Sequence, residues 1–211
     1  MDLTVLYTAA HGGGGPERED SKKLQVYLLF YKPTPNDPIQ NRIVSFLDWP
    51  FCHVEMAIPS RYGQQPWERT VWGSSIYQDE TVFFTEKRYQ RDGYMSIALE
   101  LTLAQVRQIR SFCQHHAARQ TPFHRWAMYA AYLPFQLVHT DATFCSKHVT
   151  QALQAAGLLP NVNAALITPS RLYRLLERRA IVQVVPSRML AMMPPILRLS
   201  NVPPGSAQFA R

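Results

Sequence analysis

The sequence predicts an α+β fold. Short apolar runs of strand character fill the first half, capped stretches with helical periodicity follow, and nothing alternates as a parallel sheet would require. At 211 residues with 46% apolar content, one well-filled core is within reach. The chain divides into a flexible leader over residues 1–21, a folded domain over 22–186 and a proline-rich tail over 187–211.

The leader holds Gly12-Gly13-Gly14-Gly15-Pro16, a run without the Lys-Ser/Thr of a phosphate loop. Leu24 to Tyr31 is a buried-strand pattern stopped by Pro33 and Pro35. Asp37-Pro38 predicts an N-cap with proline at the first helical position, before Ile39, Ile43, Phe46 and Leu47 at helical spacing. Phe51 to Ile58 is a second strand. Thr70 to Ile76 and Thr81 to Thr85 are two more, around a Gln78-Asp79-Glu80 turn, and Tyr94 to Leu101 is another.

Thr102-Leu103-Ala104-Gln105 is a capping box that opens a helix through Val106, Ile109 and Phe112. Phe123 to Leu137 is an aromatic-rich helix plus loop. The next helix starts near Cys145, with Thr143 or Asp141 as its N-cap, and closes at Gly157. Thr168-Pro169 starts the last helix, Ile181 to Val185 completes the sheet, and the proline-rich tail drapes over the domain through Met189, Leu190 and Ile196.

Composition narrows the function. No run approaches the ~20 apolar residues of a membrane span. No secretion signal precedes the domain, and three cysteines without framework spacing indicate a reducing, cytoplasmic setting. The net charge of +7 invites an acidic partner, but no dense basic stripe interleaved with aromatics supports nucleic-acid binding. Arg171, Arg174, Arg178 and Arg179 are accounted for as a solvated helix face.

Two stretches carry chemistry. Cys145 at a helix start meets unpaired N–H groups and a positive dipole end, which favour thiolate and can donate to an oxyanion. His53 and Glu55, two apart in a strand, share one face, so Glu55 can orient the imidazole. Together Cys145, His53 and Glu55 have the makings of a nucleophile–base–orienter site. Ser74, Ser75, Gln78 and His148 are alternative orienters. Cys52, His53, Cys145 and His148 compete as a zinc set, but neighbours in a strand point to opposite faces, so neither a metal nor another cofactor is expected. Cys113 is expected to be core packing.

Asp48-Trp49-Pro50-Phe51-Cys52-His53-Val54-Glu55-Met56-Ala57 resembles the "-SHVEL-" strand of permuted papain-like proteins. Phe144-Cys145-Ser146-Lys147-His148-Val149 resembles their "-FCSE-" helix start, and Thr168-Pro169-Ser170-Arg171-Leu172 their Thr/Ser-Pro-x-x-Leu helix. His53 precedes Cys145, the permuted order. The superfamily includes NlpC-type amidases and peptidases, lecithin:retinol acyltransferase relatives and viral branches, and the chain looks closest to the viral type. The resemblance implies an antiparallel sheet packed on the Cys145 helix. It also implies a thiol hydrolase or acyltransferase for a peptide, amide or lipid ester, and adds host cell or virion as settings. Lys147 stands where the family pattern has an acid. The rival reading is a non-catalytic interaction module on the same fold.

Overall fold

The computed structural model describes residues 23–77, 80–132, 143–178 and 182–184. The predicted leader and tail, together with Gln78, Asp141 and His139, lie outside the described residues. Six strands form one antiparallel sheet: β1 (Lys23–Tyr31), β2 (His53–Ile58), β3 (Val71–Ser75), β4 (Phe83–Lys87), β5 (Tyr94–Thr102) and β6 (Val182–Val184), in the order β4-β3-β2-β1-β5-β6. Among the described residues five α-helices accompany it: α1 (Ile39–Leu47), α2 (Leu103–Ala118), α3 (Arg125–Ala130), α4 (Cys145–Ala155) and α5 (Pro169–Arg178). The α+β class is as predicted.

The two-residue period of the strands sorts the side chains into two layers. Val26, Leu28 and Phe30 of β1, Val54, Met56 and Ile58 of β2, and Ile97, Leu99 and Leu101 of β5 face the main core. Val149, Ala152 and Leu153 of α4, Ile109 and Cys113 of α2, and Leu172 of α5 close it from above. The alternate residues Tyr27, Leu29, Ala57 and Ala98 build a smaller cluster with Tyr89 on the opposite face. Glu55 belongs to that second row, and it is fully buried.

Local rules explain most helix boundaries. The Thr102 hydroxyl accepts from the Gln105 N–H while the Gln105 side chain accepts from the Thr102 N–H, so the predicted capping box is present. Helix α4 ends as its glycine predicts. Gly157 has φ of 74°, its N–H donates to Gln154 and the Leu158 N–H donates to Leu153, the paired bonds of a Schellman stop. In α5, Thr168 Oγ1 accepts from the Arg171 N–H, with Pro169 as the first helical residue.

Two expectations about helix starts need correction. Asp37 does not cap α1, because its carboxylate accepts from the Thr34 N–H and the Tyr31 hydroxyl. The apolar stripe of α1 is exposed: Ile39, Ile43, Phe46 and Leu47 lie outside the core, Phe46 at 86%, while Val44 and Ser45 turn inward. At α4 the N-cap position is Phe144, with no side-chain cap; the backbone of Thr143 is spent on Pro122 and His124 instead.

Candidate active site

The three motifs meet at one end of the sheet. Asp48, just ahead of the β2 strand, accepts from the Thr168 hydroxyl and from Arg174 Nη2 at 2.8 Å. The Ser170 hydroxyl donates to the Asp48 carbonyl and accepts from the Phe51 N–H at 3.1 Å. The start of α5 thus clamps residues 48–51, the approach to His53. Ser146 ties in the third motif, donating to the Ile167 carbonyl at 2.7 Å. Two of the predicted surface arginines are structural: Arg174 holds Asp48, and Arg171 donates to the carbonyls of Ala131 and Leu166.

His53 occupies the last rung of the β1–β2 pairing, opposite Tyr31. Beyond it the sheet stops, so the start of α4 can approach. The Cys145 side chain, 4% exposed, lines the same cleft as the His53 ring, and the two groups act on each other's charge. His53 Nε2 is buried and has no hydrogen-bond partner. Burial opposes ionisation of Cys145, but the interaction with His53 outweighs it, helped by the backbone of Val54 and Ser146. The thiol pKa is therefore lowered. For His53 burial again opposes the charge; Cys145, then Glu55, overcome it and raise the ring to about 9. Both shifts run in the direction of a thiolate beside an imidazolium.

Glu55 is where sequence reasoning was thinnest. Its Oε1 lies 3.6 Å from His53 Nε2, an ion-pair distance too long for a hydrogen bond. Four other donors reach the carboxylate. Tyr77 and Tyr94 donate to Oε1 at 3.0 and 2.9 Å, while Lys87 and Tyr89 donate to Oε2 at 2.8 and 3.0 Å. Burial works against the charge, but His53 and Lys87 more than offset it and hold the carboxyl well below its ordinary range. Tyr77 also stacks on the His53 ring, with centroids 5.1 Å apart.

The signal for this cage was Gly73. A Cβ there would lie 2.5 Å from the Tyr89 hydroxyl oxygen and 2.8 Å from Lys87 Cδ. Its bare backbone leaves those two side chains their path across β3.

Among the described residues, the alternative orienters Ser74, Ser75 and His148 are engaged elsewhere. Ser75 donates to the Val54 carbonyl, and Ser74 donates to that of Phe83. With that proton committed, the 2.9 Å contact of Ser74 Oγ with His148 Nε2 must run from the ring N–H to the hydroxyl oxygen. His148 is buried and its pKa is lowered to about 3 by burial and the charge of His116, so it stays neutral. Cys52 and His53 do not face apart, since Cys52 precedes β2 and lines the cleft with His53 and Cys145. Among the described residues no three His, Cys, Asp or Glu side chains converge as a metal site. Cys113 is core packing, as predicted. His124, unassigned from sequence, caps α3 by accepting from the Ala127 N–H at 2.9 Å.

The cleft over the thiol has a volume of about 80 Å³. Tyr31, Tyr77 and Tyr94 line it from the sheet side, Val44 and Met128 from α1 and α3, and Phe123 from the segment ahead of α3. Of the aromatic-rich stretch that starts at Phe123, Trp126 is exposed, and the part from 133 on lies outside the described residues. No protein-family model, curated protein or solved structure matches the chain.

Proposed function

We propose that the protein is a cysteine-dependent hydrolase or acyltransferase of permuted papain-like fold, working through a thioester on Cys145. The observation that carries this reading is a buried cysteine at a helix start that lines one cleft with His53. The Cys145 thiolate attacks the carbonyl carbon of an amide or ester, and the first-turn N–H of Cys145 stabilises the oxyanion. The His53 imidazolium gives its proton to the departing amine or alcohol as the tetrahedral intermediate collapses to the thioester. His53, now neutral, takes a proton from water or from an acceptor nucleophile, which releases the acyl group as acid, ester or amide and restores the thiolate. Glu55 supports the charged ring from 3.6 Å.

Several features favour this reading over a non-catalytic module. A structural cysteine gains nothing from a lowered pKa, and Cys52 and Cys113 both have theirs raised by burial. The cleft is smaller than the roughly 300 Å³ of common small-molecule sites, so it fits a carbonyl and its immediate substituents, with the rest of the substrate outside.

Incubation with an activated ester, such as a p-nitrophenyl ester, followed by rapid acid quench and peptide mass spectrometry tests the thioester. An acyl adduct on Cys145 is expected, absent in Cys145→Ala and accumulating more slowly in His53→Ala. Acylation of other nucleophiles only, unchanged by either substitution, overturns the proposal.

A further inference from the structure

The 3.6 Å gap between Glu55 and His53 has a cause in the carboxylate's other contacts. An ionised carboxylate offers about four lone-pair sites. Tyr77, Tyr94, Lys87 and Tyr89 fill four, two on each oxygen, so a His53 Nε2–H would be a fifth donor. The nitrogen is accordingly within ion-pair range yet without a hydrogen bond, although its atom is buried.

Which oxygen each donor uses matters. Tyr77 and Tyr94 hold Oε1, the oxygen that faces His53, whereas Lys87 and Tyr89 hold Oε2. The Tyr77 hydroxyl is itself fixed, because it has one proton, which goes to Oε1, and Lys87 Nζ donates to it at 2.8 Å. The groups facing Glu55 are thus His53 on its own strand, Lys87 and Tyr89 at the β4 end, Tyr94 on β5 and Tyr77 after β3.

We propose that Tyr77 and Tyr94 are positioning residues of the active site: by occupying Oε1 they hold Glu55 back from His53 and so limit how strongly the imidazolium is stabilised. This rests on the Cys145–His53 reading above and adds two tyrosines to it. Removing either hydroxyl opens a lone pair on the facing oxygen, and a displacement of well under 1 Å then converts the ion-pair contact into a charge-assisted hydrogen bond. The ring becomes more basic and the thiol more acidic. A residue that merely supports the fold would do the reverse or nothing.

The test is the pH dependence of iodoacetamide labelling of Cys145 in the full chain. Tyr77→Phe and Tyr94→Phe are each expected to raise the labelling rate on the acid limb about three- to tenfold, which is about half to one pH unit in the apparent thiol pKa. Tyr89→Phe, which opens the remote oxygen, should leave that limb within about twofold of wild type. In a Glu55→Gln background, both facing-oxygen substitutions should lose their effect, as a double-mutant cycle requires of residues acting through Glu55. Slower acid-limb labelling in both variants, or an equal gain that persists beside Glu55→Gln, overturns the proposal. If one variant fails to fold, the other carries the same prediction. His53→Ala separates the two levels. If it leaves labelling unchanged, the catalytic reading fails; if it suppresses labelling while Tyr77→Phe and Tyr94→Phe have no effect, only the positioning role fails.

Discussion

At the scale of single residues, the site is a matter of which charges are stabilised by what. Cys145 and His53 each lie where burial alone would keep them neutral, and each favours the charged form of the other. The sign of the pH dependence follows. Acyl transfer needs Cys145 deprotonated and His53 protonated, so the acid limb of kcat/KM reports the lowered thiol and the alkaline limb the ring at about 9. Glu55→Gln removes a negative charge near the ring. We expect it to move the alkaline limb down towards the ordinary ~6.5 of histidine and the acid limb up, narrowing the active window from both sides. An unchanged profile would make Glu55 purely structural. That His53 and Glu55 share a face and that Cys145 opens a helix was legible in the sequence, because strand parity and helix-start chemistry are local rules. The tyrosine and lysine cage was not, because its members come from separate strands and loops and are joined only by sheet register.

At the scale of elements, the last helix does more than cover the core. Thr168, Ser170 and Arg174 hold the chain that leads into His53, so α5 acts on the site without touching it. Ser170→Ala removes a donor to Asp48 and an acceptor for the Phe51 N–H in a buried setting. A loss of about 1–3 kcal/mol in chemical denaturation is expected, together with slower Cys145 labelling even at temperatures where the protein remains folded. Stability loss with unchanged labelling would show that residues 48–51 find their place without α5.

Gly73→Val makes a different prediction. The new side chain collides with Lys87 and the Tyr89 hydroxyl, so it should displace two donors of a buried carboxylate and lower stability in chemical denaturation by about 1–3 kcal/mol. An unchanged denaturation midpoint would show that both side chains find another path to Glu55. The failures of sequence reasoning at this scale share one origin. Helical periodicity in α1 identifies an apolar stripe but not what it faces, and only the tertiary arrangement turned Val44 and Ser45 inward. Likewise Thr143 is a fitting cap by type, yet its backbone is committed to residues 122 and 124, which places Phe144 at the cap position.

At the scale of the whole molecule, the sheet separates two environments, and the site lies where they join. One face carries the apolar core shared with α2, α4 and α5; the other carries the buried carboxylate and its donors. The fold class was readable because most strands are apolar runs and because α2 and α5 are announced by a capping box and a proline. No described helix is long and apolar enough to cross a membrane. The central claim is that a single thiol among three is activated by His53, and one experiment addresses it directly. Iodoacetamide labelling from pH 5 to 10, with each cysteine followed by peptide mass spectrometry, compares Cys145 with Cys52 and Cys113 in the same molecule. The account predicts that Cys145 reacts well below the ordinary thiol pKa of about 8.5, that Cys113, pushed up to about 12, stays unlabelled in the folded protein, and that His53→Ala abolishes the low-pH reaction. Labelling of Cys145 that rises only above the ordinary thiol range, or that is indifferent to His53→Ala, would contradict it.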